Sequence, residues 1–310
     1  MSLEVHGPDI RLAALGGLID YAGLFPPARL DMAAAVGGYQ TARRGPNAWM
    51  IDRFLCPASR LVELAGSLHG AMTEDEDPWR LSVIADGDAD TVADDARSIE
   101  SFDRVMDGRA RVEVVETQLP VSDAADWVVH AAEVLDRPVF FEVPWRDGAP
   151  EALDSVTAGG ERTGRELGAK LRCGGLTAAA FPPPGVVAAI IAGCRDRRLR
   201  LKATAGLHHP FRHFEPETGF TQHGFVNLLV AAAAGSDGVD LATLTEIVAE
   251  DDSSAFSFDD GYLRWRDRSF DAATVAASRA GLFVGYGSCS IEEPVQDLTV
   301  LGVLPLGAAS

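Results

Sequence analysis

Lysine is nearly absent from this sequence. The 27 basic side chains of the 310-residue chain include two lysines, Lys170 in "GAKLRCGG" and Lys202 in "RLKATAGLHHP", and the other 25 are arginine. Arginine keeps its proton and cannot attack as an amine, whereas a desolvated lysine can lose its proton and condense with a carbonyl. Side chains on a strand alternate between two faces. Around Lys170 the apolar set is Ala169, Leu171 and Cys173, and Lys170 and Arg172 form the other set. Around Lys202 the apolar set is Leu201, Ala203 and Ala205, opposed by Lys202 and Thr204. Three chemistries are open to such lysines: pairing with an interior carboxylate such as Glu113, Glu116 or Glu142, holding a phosphate or carboxylate as a point charge, and amine chemistry.

The elements that would position them repeat regularly. Apolar runs with strand character at 17–25, 48–57, 80–86, 111–120 and 138–145, the two lysine runs, and 281–290 are each associated with a segment of helical period. Eight β-then-α units imply parallel strands joined by helical crossovers, and eight such strands close a barrel. The expectation is an α/β fold, a (β/α)8 TIM barrel, as one domain over residues 1–310. An open doubly wound sheet is the alternative. The segment 255–267 alternates at period two around Asp259-Asp260-Gly261 and predicts an inserted β-hairpin. With about 20–25 inward-facing strand positions in a barrel of this size, chance alone would put both lysines there about once in 200.

A lysine on strand six and another on strand seven of a barrel resemble the deoxyribose-phosphate aldolase type of class I aldolase, over about 40 residues of the chain. The resemblance implies a Schiff-base nucleophile at Lys170, a cationic neighbour at Lys202, and a proton carrier on an earlier strand, Glu116 or Glu142. The arginine two residues after Lys170 and the histidine pair after Lys202 have no counterpart in that pattern.

Catalytic groups of barrels lie at the C-terminal ends of strands. Besides the two lysines and two glutamates, this places Arg172, Gly174, Gly175, Thr204, His208, His209, Tyr286, Ser288 and Ser290 as candidate substrate contacts. The glycine pair would let a ligand approach the backbone, and "GYGSCS" would offer N–H groups and hydroxyls to an anion. The segment 206–225 holds four of the seven histidines, with Glu215 and Glu217 nearby, and its loop from His208 to His223 should partly cover the mouth. Adjacent His208 and His209 point apart on an extended chain and do not suit one ion, so no metal ligand is assigned. A metal on this loop is kept as an alternative.

A net charge of -19 argues against nucleic acid or an anionic membrane as a partner, so any anionic ligand needs a local positive pocket. The start of the chain does not read as a signal peptide, no apolar run is expected to reach the length of a membrane span, and Cys56, Cys173, Cys194 and Cys289 are dispersed. These features predict a cytoplasmic protein with reduced thiols and no cofactor, with a homo-oligomer left open. The functional expectation is an aldolase- or lyase-like enzyme that acts next to a carbonyl of a small anionic substrate. The alternatives are a metal-dependent or non-covalent barrel enzyme whose lysines only bind the substrate anion, and an anion-binding protein without turnover.

Overall fold

The computed structural model describes residues 9–305 apart from 74, 75, 89, 121, 176 and 217. Eight parallel strands close on themselves: β1 (Ile19–Tyr21), β2 (Ile51–Pro57), β3 (Trp79–Ile84), β4 (Ala110–Gln118), β5 (Val139–Glu142), β6 (Leu167–Arg172), β7 (Arg200–Thr204) and β13 (Phe283–Ser288), the last pairing with both β7 and β1. The expected TIM-type barrel is therefore present. Helix α1 (Ile10–Leu15) precedes β1, and α2 (Met32–Arg44), α3 (Leu61–Ala71), α4 (Val92–Met106), α5 (Ala124–Leu135), α6 (Ala149–Thr163) and α7 (Pro184–Arg197) are the crossovers between successive strands up to β7.

The connection from β7 to β13 is longer. It holds the flap strands β8 (His213–Glu215) and β9 (Phe220–Gln222), helices α8 (Phe225–Ser236) and α9 (Leu241–Ala249), strands β10 (Phe256–Asp259), β11 (Tyr262–Trp265) and β12 (Arg268–Asp271), and α10 (Ala272–Gly281); α11 (Glu292–Val300) follows β13. The expected hairpin is β10–β11, turning at Asp260-Gly261, and β12 extends it into a three-stranded antiparallel sheet. Several helices begin on an aspartate that accepts a first-turn N–H: Asp31 from Ala34, Asp240 from Thr243 and Asp271 from Thr274.

The apolar strand faces pack outward against the helices: Ala169, Leu171, Leu201 and Ala203 are all buried there. Residues 178–197 have the length and apolarity of a membrane-crossing helix, contrary to the reading of the sequence. In the fold this stretch contains Pro182-Pro183-Pro184, and the helix α7 within it buries Val187, Ala188, Ile190, Ile191 and Cys194.

Inside the barrel the register aligns Phe140 with Gly168, Glu142 with Lys170, Lys170 with Lys202, and Arg172 with Thr204. Gly168 is required by packing, because a Cβ there would sit 2.5 Å from the Phe140 ring, which fills the interior. A bulge in β4 adds one residue, Glu113, between the partners of Leu81 and Ser82. Glu113 therefore joins Arg53 and Arg80, and Glu116 projects into the interior among the lysines.

Candidate functional site

Both lysines point into the barrel, and six side chains from five strands connect in alternating sign. At the deep end Asp20 accepts the Arg53 backbone N–H at 2.9 Å through one oxygen and meets Lys202 Nζ at 2.5 Å through the other. Lys202 also donates to Glu116 Oε1, and Ser82 Oγ donates to the same oxygen at 2.7 Å. The second oxygen of Glu116 lies 3.0 Å from Lys170 Nζ, which is 3.2 Å from Glu142 Oε2. Glu142 Oε1 then accepts from Arg172 Nε at 3.0 Å. The sequence Asp20, Lys202, Glu116, Lys170, Glu142, Arg172 thus climbs from a dry floor to an open rim. The Lys202 and Glu116 side chains are 3% and 2% exposed, Lys170 is 8% exposed, and Arg172 is 46% exposed.

The electrostatics follow from this order. Burial opposes the charge on Lys202, but Asp20 and then Glu116 overcome it and hold its pKa above the ordinary lysine value. Burial likewise opposes ionisation of Glu116, and the charges of Lys202 and Lys170 with hydrogen bonds from Lys202 and Ser82 drive its pKa far below the carboxylate range. Glu142 is also lowered, with Lys170 and Arg172 outweighing desolvation. Lys202 is a fixed cation and Glu116 a fixed anion at neutral pH. The sequence suggested that the lysines would act on each other as like charges; Glu116 lies between them and offsets that field.

Above Lys170 opens a cavity of about 1500 Å³ at the C-terminal ends of the strands, bordered by Lys170, Glu142, Arg172 and Thr204 and by Gly175, His208 and His209 among others. Trp127, Phe25, Phe181 and Phe220 add aromatic wall, and the antiparallel pair β8–β9 contributes Glu215, Phe220 and Gln222 to the lining. Lys202 and Glu116 lie beneath the cavity and do not line it.

Other expected residues are placed elsewhere. Gly174 does not border the cavity; a Cβ there would meet the Phe181 ring at 2.8 Å and Gly206 at 2.9 Å, so its small size serves packing. Tyr286 is fully buried on the helix side, stacked on Phe225 of α8 with centroids 5.0 Å apart. Ser288 shares its parity on β13. Its hydroxyl donates to the Ser290 carbonyl, while Ser290 Oγ accepts the Glu293 N–H at the start of α11. These serines build the strand end and the helix start; Gly287 and Cys289 line the cavity instead. Glu217 lies outside the described residues.

Sequence reasoning missed Asp20 and Ser82. Each is a lone polar residue in an apolar run, "GLIDYAGLF" and "RLSVIAD", and that anomaly was the available signal.

Of the thiols, Cys56, Cys173 and Cys194 are buried, and desolvation pushes each up to about 12, which makes them inert. Cys289 is half-buried, 3.8 Å from His208 Nε2, while His208 Nδ1 lies 2.8 Å from Glu293. Contact with Cys289, working against burial and joined by Glu293, pushes His208 up to about 9, so its imidazole is a cation at neutral pH.

No family model and no curated protein matches the chain. The reading of the site therefore rests on its own geometry. An amine at the edge of a roomy cavity, backed by a fixed carboxylate and a second carboxylate at the rim, can add to a carbonyl, stabilise the cationic adduct and move protons.

Proposed function

We propose that this barrel is an enzyme that makes or breaks a bond next to a carbonyl through a Schiff base on Lys170, as an aldolase-like lyase. The observation that carries the reading is the division of labour between the lysines: Lys170 borders the cavity, and Lys202 is sealed beneath it between Asp20 and Glu116.

In this reading Lys170 passes a proton to Glu142, 3.2 Å away, and its free amine adds to the substrate carbonyl carbon. The carbinolamine takes a proton on its hydroxyl, loses water and becomes an iminium. Its positive nitrogen replaces the ammonium opposite Glu116 Oε2, so the fixed carboxylate stabilises the charged intermediate. Cleavage of the adjacent carbon–carbon bond sends the electron pair into the iminium to give an enamine. The fragment that departs forms a carbonyl by giving up its hydroxyl proton to a base. Protonation of the enamine carbon and hydrolysis of the resulting iminium release the second product and restore the amine. The reverse sequence is aldol addition.

A carboxylate or phosphate on the substrate finds Arg172, which uses only Nε on Glu142, and the His208 cation, which also lines the cavity. The aromatic wall fits a substrate with an apolar portion as well.

Borohydride reduction in the presence of a panel of small oxo acids, aldehydes and ketones, followed by peptide mass analysis, tests the proposal. A reduced adduct on Lys170, absent from Lys170→Arg, is the expected result. Turnover of a carbonyl substrate with no adduct, or with an adduct only at another amine, would overturn it.

A further inference from the structure

The flap over the cavity carries a second cluster that the lysine chemistry does not use. His213 and Glu215 are two apart on β8 and project from the same face, and His209 approaches from the preceding loop. The three ligand-capable atoms, one from each residue, lie within 4.8 Å of one another.

The hydrogen bonds on the far sides of the rings decide which nitrogens face inward. His213 Nδ1 lies 3.0 Å from the Phe211 carbonyl, which can only accept, so Nδ1 carries a proton and Nε2 is the nitrogen left for a ligand. His209 Nδ1 lies 2.6 Å from an Asp297 oxygen of α11, which fixes the same tautomer. His213 Nε2 is buried and has no hydrogen-bond partner among the described residues. It stands 3.6 Å from Glu215 Oε2, and His209 Nε2 stands 3.9 Å from the same oxygen. Both separations exceed a hydrogen bond. They are a few tenths of an ångström above the spacing of about 3.4 Å between donors that share a tetrahedral ion at 2.0–2.1 Å.

We propose that His209, His213 and Glu215 form a divalent metal site of the zinc type, which takes a substrate oxygen in its remaining position. His209 and Glu215 border the cavity, so the open position faces the chamber where a substrate would sit. Asp297 and the Phe211 carbonyl are the outer partners that orient the two imidazoles. An ion there would tie the flap to α11 across the mouth. The site stands on this geometry and is independent of Schiff-base chemistry at Lys170.

The test uses the full chain produced without a histidine tag, stripped with chelator and titrated with Zn²⁺ alone by calorimetry. One equivalent should bind to the wild type and to Lys170→Arg. Affinity should fall by about 10–100-fold in Asp297→Asn and further in Glu215→Gln and His213→Ala. Co²⁺ bound to the wild-type chain should give visible d–d bands without a thiolate charge-transfer band, a readout that needs no variant. The proposal is overturned by the absence of saturable binding to the wild type, by equal affinity in Glu215→Gln and His213→Ala, or by a thiolate band, which would move the ion to Cys289. Absence of a borohydride adduct on Lys170 would leave these outcomes unchanged.

Discussion

Lys170 and Lys202 are register partners on adjacent strands, and their ammonium groups settle on opposite oxygens of one carboxylate, Glu116. Two cations from neighbouring strands would repel in a low-dielectric interior, and the shared anion removes that repulsion. Each lysine has a second anion, Asp20 for Lys202 and Glu142 for Lys170, and they differ in that Lys202 is sealed in the floor while Lys170 meets the cavity.

Exchanging each lysine for arginine should separate their roles. Lys170→Arg keeps the charge but has no amine nucleophile, and turnover should fall on the order of 10³-fold or more. Lys202→Arg must fit a larger group into a filled interior, at about 1–3 kcal/mol of stability. Its folded fraction should retain more activity than Lys170→Arg. Steady-state rates normalised to folded protein, with denaturant midpoints alongside, decide the matter, and equal small losses in rate would favour mere anion binding.

Removal of the Lys202 charge should be costly to the fold. Lys202→Met leaves Asp20 buried without its lysine and Glu116 with Lys170 alone, and the expected loss is about 3–5 kcal/mol. Lys170→Met should cost less, since Lys170 borders the cavity and water can reach the carboxylates left behind. Chemical denaturation of both variants measures the difference, and a larger loss for Lys170→Met would contradict the picture of a dry floor.

Acid stability should report Glu116. Its folded pKa lies far below the ordinary 4.5, so the unfolded chain takes up the proton first as pH falls. The stabilisation it contributes is complete above 4.5 and drains away as pH drops from there toward the folded value. The wild type should lose stability steeply between about pH 5 and pH 3, and Glu116→Gln should start less stable and show a shallower slope. Parallel slopes would mean that other carboxylates dominate.

His208 gives a prediction of opposite sign. Its pKa is raised from 6.5 to about 9, so its stabilising contribution is present below 6.5 and is lost as pH rises through about 9. Proton-detected titration of the His208 ring should show a midpoint near 9, shifted down in Glu293→Gln. A midpoint near 6.5 in the wild type would remove His208 as a cation at the mouth.

Tyr286→Phe tests the outward placement of that ring. The hydroxyl is buried without a partner among the described residues, and stacking on Phe225 does not need it. The variant should match or exceed the wild type in stability, within about 1 kcal/mol, with unchanged kinetics. A drop in substrate affinity would return Tyr286 to the site.

The sequence by itself determined the alternation of strands and helices, and hence the barrel, because apolar periodicity is local and each β-then-α unit carries its own signal. It also determined that both lysines face inward, since Leu171 and Leu201 claim the helix side of their strands. The same alternation was silent on β13, where glycines at 285 and 287 carry no side chain to mark a face, and Tyr286 and Ser288 were read as lining the mouth. Only the closed sheet decided which residues meet. Asp20 reaches Lys202 because β13 pairs with both β1 and β7, and Glu116 turns inward because of a bulge at Glu113. Bulges and closure are properties of cross-strand register, set by pairing between distant segments. His209, His213 and Glu215 likewise converge through a flap whose tautomers are fixed by Phe211 and by Asp297 of the final helix. Residue spacing along the chain carries the identity of such groups, and the fold supplies the distances at which they act.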